Sequence, residues 1–288
     1  VRKDRAAYLF LLPWLVGILF TVGPFLVSLY LAFTDYNLLT PPRFSGLANV
    51  REMLGDDTLH KSLRVTFIYT LVSVPLSLAA ALAVAMVLHR GVRGLAIYRS
   101  VYYLPSLLGS SVAIVMLWRY LFGYQGVVNR FLGWFGIHGI GWTSDPHFAL
   151  STLILLHVWT FGSPMVIFLA GLKQIPVMYY EAASMDGASA WRQFRSVTLP
   201  LLSPIIFFNL VQSMIASFQT FTQGYVMSGG TGGPAESTLF SNLYLYQKGF
   251  GELDMGYASS IAWLLLVIIA GFTAVNFLAA RHWVFYEN

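Results

Sequence analysis

Residues 65–89, from Val65 to His89, read VTFIYTLVSVPLSLAAALAVAMVLH and contain no Asp, Glu, Lys or Arg. About 20 predominantly apolar residues are enough for a helix to cross a ~30 Å hydrocarbon core. A backbone in lipid must satisfy its own hydrogen bonds, which a helix does within one segment. The apolar residues here do not alternate at a period of two, so a strand is excluded. Charge-free stretches recur on both sides, at 6–34, 100–118, 146–172, 196–235 and 255–280. Trimmed by hydropathy, the expected helices are 7–33, 66–88, 102–122, 149–172, 202–223 and 257–280. The fold class expected is all-α: a polytopic membrane bundle of about six spans, read as a single domain over 1–288. Pro13, Pro24, Pro75, Pro105, Pro164 and Pro204 fall in or near these spans. A packed bundle tolerates them, and they often mark kinks.

Composition agrees. Charged residues are 10% and hydrophobic residues 57% of the 288, against roughly 25% charged in soluble domains. The mean hydropathy is +0.67. There is no cysteine, which excludes disulfides, thiolate metal sites and cysteine nucleophiles. The net charge is +5, but it is scattered over short loops with no basic–aromatic run, so nucleic acid is not an expected partner. The charged start at Val1–Arg5 leads into an apolar stretch too long for a signal-peptide core, and reads as a retained first span.

Loop charges give an orientation. With the N-terminus in the cytoplasm, the inner side holds ten basic residues: Arg2, Lys3, Arg5, Arg90, Arg93, Arg99, Lys173, Arg192, Arg195 and Arg281. It holds four acidic ones, Asp4, Glu181, Asp186 and Glu287. The other side holds seven basic and eight acidic, so the positive-inside rule places both termini in the cytoplasm. The outer connections are 34–64, 123–148 and 224–256, and Val127–Phe135 has the spacing of a helix lying along the outer interface.

The longest inner loop, 173–201, carries the most information. Its sequence from Ile175 to Pro200 reads IPVMYYEAASMDGASAWRQFRSVTLP. Pro176 suits a first helical position, and a short helix is expected over 177–185. Asp186-Gly187 is a turn pair whose glycine can adopt the left-handed conformation. A second helix is expected from about 188 to 197, stopping before Pro200. The product is a helix–turn–helix elbow. Ala182, Ala183, Gly187 and Ala188 are small, so another backbone can come close.

The elbow resembles the EAA signature of bacterial ABC importer permeases: Glu-Ala-Ala, three residues, Gly, then a stretch ending in Leu-Pro. The matching positions are Glu181, Ala182, Ala183, Gly187, Leu199 and Pro200. Ile175-Pro176 and Asp186-Gly187-Ala188 resemble the carbohydrate (maltose-type) branch. Trp159–Pro164 with Ala170-Gly171-Leu172 resembles the family's fourth core span. Gly230–Pro234, Ser237-Thr238 and Gly256–Ser259 resemble its last loop and last span. The resemblance implies that Glu181, Ala182, Ala183, Ser184, Met185, Asp186, Gly187 and Ala188 form the coupling helix, docking in a groove of a separate ATPase subunit. It implies two such P-loop ATPase subunits, which bind the ATP and Mg. It also implies a second permease that is usually a different chain, an extracytoplasmic sugar-binding protein, and residence in the bacterial cytoplasmic membrane. ATP binding would close the ATPase pair and turn the bundles from inward- to outward-facing.

The residues themselves limit where energy enters. The only lysines are Lys3, Lys61, Lys173 and Lys248, none of them preceded by Gly, so this chain has no P-loop. No Asp or Glu falls within an expected span, which weakens an ion-coupled secondary transporter, although carbonyls and hydroxyls can bind sodium. His157 has no second ligand one turn away for a metal. Ser163 lies six residues from it, off a clean same-face pairing for nucleophilic catalysis. A separate ATPase is the simplest source of energy, with no cofactor in this chain.

Polar residues in lipid are costly and turn to a cavity or another helix. One cluster is Ser106, Ser110 and Ser111; a second is His157, Trp159, Thr160 and Ser163. The third is Asn209, Gln212, Ser213, Ser217, Gln219, Thr220, Thr222 and Gln223. Serines in apolar helices also serve as packing partners. In the third cluster, Gln212, Gln219 and Gln223 recur at helical spacing with Phe218 and Phe221 between them. Amides and hydroxyls beside aromatic faces suit a sugar. The expected substrate residues are Gln219, Thr220 and Gln223, then His157 and Thr160. In the resembled branch, too, polar residues just before the Gly-Gly-Pro loop line the sugar site. Arg119, near the outer end of its span, reads as a snorkelling side chain. That favours a neutral sugar over a sugar phosphate or glycerol phosphate, while glycerol phosphate or a polyol stays open as the alternative cargo.

Overall fold

The computed structural model describes residues 2–91, 93–137 and 139–285; Glu287, counted above among the inner charges, lies outside them. The helices are α1 (Arg2–Leu31), α2 (Ala48–Gly55), α3 (Asp57–His89), α4 (Leu95–Leu108), α5 (Val112–Leu121), α6 (Val127–Gly133) and α7 (Pro146–Trp159). They continue with α8 (Gly162–Gln174), α9 (Val177–Met185), α10 (Ala190–Gln193), α11 (Leu199–Phe218), α12 (Thr222–Ser228), α13 (Ser241–Tyr246) and α14 (Met255–Trp283). Strands β1 (Thr34–Asp35) and β2 (Arg43–Phe44) pair antiparallel, Thr34 opposite Phe44 and Asp35 opposite Arg43. Among the described residues, four helical runs are long and apolar enough to cross a membrane, and two bent pairs bring the number to as many as six. The expected all-α membrane bundle is what forms.

Three expected spans are interrupted. The helix expected over 102–122 is α4 and α5, turned 99° from each other. Gly109 and Ser110 break it, and Ser111 restarts it as an N-cap, its Oγ accepting from the Ile114 N–H at 3.3 Å. The helix expected over 149–172 is α7 and α8, bent by 41°. Pro164 has no N–H to offer the Thr160 carbonyl one turn back, and Thr160 Oγ1 turns to the His157 carbonyl at 2.7 Å. The helix expected to reach 223 ends at Phe218, and α12 begins at Thr222. Gln212, Gln219 and Gln223 therefore do not share one continuous helix face.

The helix expected over 66–88 begins at Asp57 instead. Asp56 Oδ1 accepts from the N–H groups of Thr58 and Leu59, both at 3.0 Å, and a polar first stretch carries the helix beyond its apolar section.

The chain divides into two compact units, Val1–Leu59 with Tyr244–Val267, and His60–Leu243 with Ile268–Asn288. In the first, Asn49 Nδ2 donates to the Ala32 and Thr34 carbonyls, both at 3.0 Å, and Ser260 Oγ donates to the Ala32 carbonyl at 2.7 Å. Asp56 Oδ2 accepts the hydroxyls of Tyr244 and Tyr257, each at 2.6 Å. In the second, Val74, Leu78, Ala81, Ala85 and Leu88 make a seam along α3 at helical spacing. It packs against Met165, Phe168, Leu169 and Leu172 of α8 and Leu202 of α11. Lipid tails are as apolar as leucine, so close packing rather than water exclusion holds such helices together. Small residues permit it: a Cβ on Gly171 would strike Ile205, and one on Gly162 would strike the Tyr102 carbonyl of α4.

Candidate functional site

Two features stand out in the second unit, an elbow and a cavity. The elbow is α9, a turn, and α10. Pro176 stands at the N-cap, one position earlier than expected, and α9 covers the expected 177–185. Gly187 adopts φ 73°. Its N–H donates to the Ser184 carbonyl at 3.0 Å, and the Ala188 N–H donates to the Ala183 carbonyl at 2.9 Å. That pair of bonds is a Schellman closure, which a glycine at this position makes cheap. Gln193 Nε2 ties the two arms together, donating to Ser184 Oγ at 3.0 Å and to the Ala188 carbonyl at 3.1 Å. The Tyr180 and Thr198 hydroxyls meet at 3.0 Å. The second arm does not stop before Pro200, as expected. It runs through a π turn, Phe194–Thr198, into α11. The Leu199 N–H bonds the Phe194 carbonyl, so this wider register is in place where Pro200 can offer no donor of its own. The elbow's exposed surface mixes apolar and charged side chains: Val177, Met178, Met185 and Trp191 are all more than half exposed, and Glu181, Asp186 and Arg192 are exposed beside them.

The cavity, about 390 Å3, lies where the three helix breaks meet. The α4–α5 break contributes Ser106, Gly109 and Ser110, and the α7–α8 break His157 and Thr160. The α11–α12 break contributes Gln219, Thr220, Phe221, Thr222 and Gln223. A Cβ on Gly109 would strike the Thr160 methyl, so two of the breaks touch directly. The third is anchored behind: Ser217 Oγ meets Thr70 Oγ1 at 3.1 Å, and Asn242 Nδ2 donates to the Phe218 carbonyl at 3.3 Å. The Tyr69 ring packs edge-on against His157 at 5.6 Å, and its hydroxyl hydrogen-bonds the Thr220 side chain. Irregular backbone at membrane depth is tolerated where it lines a cavity or is buried in protein.

All five expected substrate residues, Gln219, Thr220, Gln223, His157 and Thr160, line this cavity. Gln212 does not, and is exposed elsewhere on α11. Among the described residues, no Asp, Glu, Lys or Arg lines it. Amides and hydroxyls can donate to and accept from a polyhydroxylated ligand, Phe221 offers a ring face, and the volume falls within the range of small-molecule sites. Among the described residues no group of three or more His, Asp or Glu could hold a metal. Arg119 does more than reach for the interface: its Nη1 donates to the Val226 carbonyl of α12 at 3.3 Å. The sequence reading did not find a second cavity, lined in part by Arg99 and Tyr103; the four-residue spacing of those two positions along α4 was the available signal.

Residues 63–283 match the family described as the binding-protein-dependent transport system inner membrane component. The chain belongs to that family. It is similar to the probable ABC transporter permease protein YesP of Bacillus subtilis (strain 168), 50% identical over 292 residues that cover 100% of this chain and 94% of that protein. It is also similar to the lactose transport system permease protein LacF of Rhizobium radiobacter, 34% identical over 96% of this chain and 95% of that one. A crystal structure of a bacterial ABC transporter involved in the import of the acidic polysaccharide alginate shares the fold, with a TM-score of 0.78 at 19% identity over 98% of this chain and 96% of that chain. The family is a multi-pass inner-membrane component, which accounts for a chain whose helices expose so much apolar surface.

Proposed function

We propose that this chain is one permease subunit of an ATP-driven sugar importer, forming half of a translocation pathway that works by alternating access. The observation that carries the reading is the cavity. Three helix interruptions converge on neutral amides, hydroxyls and one aromatic face, with no fixed charge in the lining. A neutral polyhydroxylated cargo fits such a lining better than an ion does. The lactose permease LacF and the trehalose/maltose permease MalF of Thermococcus litoralis, 30% identical over 97% of this chain, support a sugar cargo. Gln219, Thr220, Gln223, His157 and Thr160 bind it weakly, and an external binding protein delivers it.

Energy comes from two copies of a separate P-loop ATPase, which bind ATP and Mg. The exposed segment Glu181–Ala188 docks on one of them. The hydrogen bonds from Gln193 to Ser184 and Ala188 tie the elbow's two arms together, which supports a role in transmitting a push. Both termini and the elbow are cytoplasmic, as the basic bias of that side supports. The second permease is an unlike chain. Affinity purification of the tagged chain in mild detergent tests the assembly. The expected result is a P-loop ATPase and a second permease at fixed stoichiometry; a chain that purifies alone refutes it.

A further inference from the structure

A second cavity lies next to the central one, across Ser106. It measures about 460 Å3 and lies between α4 and α8, lined among others by Arg99, Ser100, Tyr103 and Ser163. The two cavities share a wall, because Ser163 Oγ donates to Ser106 Oγ at 3.5 Å and each hydroxyl belongs to a different cavity. Positions 99, 103 and 106 follow one another at four and three residues along α4, so they lie on one helix face. On α8 the lining continues from Ser163 to Val166 and Ile167, toward Lys173 and the elbow. Gly162 seats α8 directly on the α4 backbone beside Tyr102 and Tyr103, which fixes the junction between the cavities.

The second cavity shares hydroxyls and an aromatic ring with the first, lacks its amides and imidazole, and adds a cation. Ser100, Tyr103 and Ser163 supply hydroxyls, and Tyr103 supplies a ring face. The Arg99 guanidinium has no hydrogen bond or ion pair among the described residues. Its five N–H donors are free for a ligand. A guanidinium fork and an aromatic ring can hold sugar hydroxyls and the sugar ring together. Val166 and Ile167 offer no polar contact, which keeps the site weak enough to release its ligand. Conduction needs that balance. We propose that Arg99, Ser100, Tyr103 and Ser163 form a second sugar station, through which cargo leaves the central cavity toward the elbow face. This rests on the importer reading above.

The chain has no cysteine, so single-cysteine variants of the assembled complex give a clean test. Ser100→Cys and Ser163→Cys sit in the station. Val101→Cys, on the opposite face of α4 and 59% exposed, is the lipid-facing control. In inverted vesicles without nucleotide, a membrane-impermeant maleimide is expected to label the first two far faster than the control. Labelling of all three only by a lipid-soluble maleimide means a lipid-filled groove, and overturns the proposal. In proteoliposomes with ATP enclosed, Arg99→Ala is expected to slow uptake of a labelled mixture of mono- and disaccharides about tenfold, the order of one lost hydrogen bond to a charged group. Arg99→Lys is expected to recover part of it, with co-purification of partners unchanged in both. Slowing by Gln219→Ala but not by Arg99→Ala overturns the second station and spares the central cavity. Normal uptake in both variants overturns the cavity assignment itself.

Discussion

Replacing Gly187 by valine tests the elbow at its turn. A Cβ on Gly187 meets no atom within 4 Å, so a Cβ itself is not crowded within the chain. The cost lies first in the backbone. With φ at 73°, the position is left-handed, a region that costs an L-residue about 1–2 kcal/mol and in which a β-branched residue is an outlier. Two hydrogen bonds depend on that conformation, from Gly187 to Ser184 and from Ala188 to Ala183. A penalty of this size lowers the population of correctly turned elbow roughly 5- to 30-fold. The core seam of α3, α8 and α11 lies elsewhere, so insertion and expression are expected to stay normal. The assay is ATP-driven uptake in proteoliposomes, read beside co-purification of the ATPase. Asparagine tolerates the left-handed region, so uptake is expected to fall in the order Gly, Asn, Ala, Val at position 187. Full uptake by Gly187→Val refutes the reasoning. Asparagine as damaging as valine replaces it with a different one, in which close approach of the partner, not backbone conformation, requires glycine.

The other expectations concern the cavity, the bundle and the outer network. Gln219→Ala is expected to slow sugar uptake about 5- to 10-fold, the loss of roughly one hydrogen bond, with assembly intact, while Gln212→Ala has no effect on uptake. Loss of assembly in Gln219→Ala instead shows that the residue serves packing. Gly162→Leu forces a side chain into the Tyr102 carbonyl and is expected to cost about 1–3 kcal/mol, seen as a lower midpoint of thermal unfolding in detergent. Burial alone raises the Asp56 carboxyl, but hydrogen bonds from Tyr244, Tyr257 and the Leu59 and Thr58 N–H groups outweigh it and hold it below the usual range. Its contribution to stability is therefore complete above the ordinary carboxylate range and is lost as pH falls through the lowered folded value, from about pH 4 downward. Asp56→Asn is expected to flatten that acid limb of the unfolding midpoint.

Much of this fold was legible because lipid leaves few choices. Apolar length located the spans, and Asp186-Gly187 located the elbow turn to the residue. What the sequence hid was local. An uncharged run has the same hydropathy whether it is one helix or two, so the 99° turn at Gly109–Ser110 left no trace in hydropathy. Gly109, Ser110 and Ser111 together carried the turn chemistry, but they also read as packing serines. The break after Phe218 was hidden by the seven- and four-residue spacing of Gln212, Gln219 and Gln223, which fits a continuous helix. Gln219 and Gln223 reach the cavity because the helix ends before them, not because they share a continuous helix face with Gln212. Arg99 was counted only as an inner-side charge, since nothing in the sequence shows that α8 would stand across from it.

The central claim is that energy enters through a separate ATPase and cargo is a sugar. Reconstituting the co-purified complex in proteoliposomes with its binding protein, and measuring sugar accumulation with ATP or with an ion gradient, tests that most directly. Accumulation that requires ATP, and that collapses in a Gly187→Val complex, is the expected result. Accumulation driven by the ion gradient without ATP contradicts the account and makes the chain a secondary transporter.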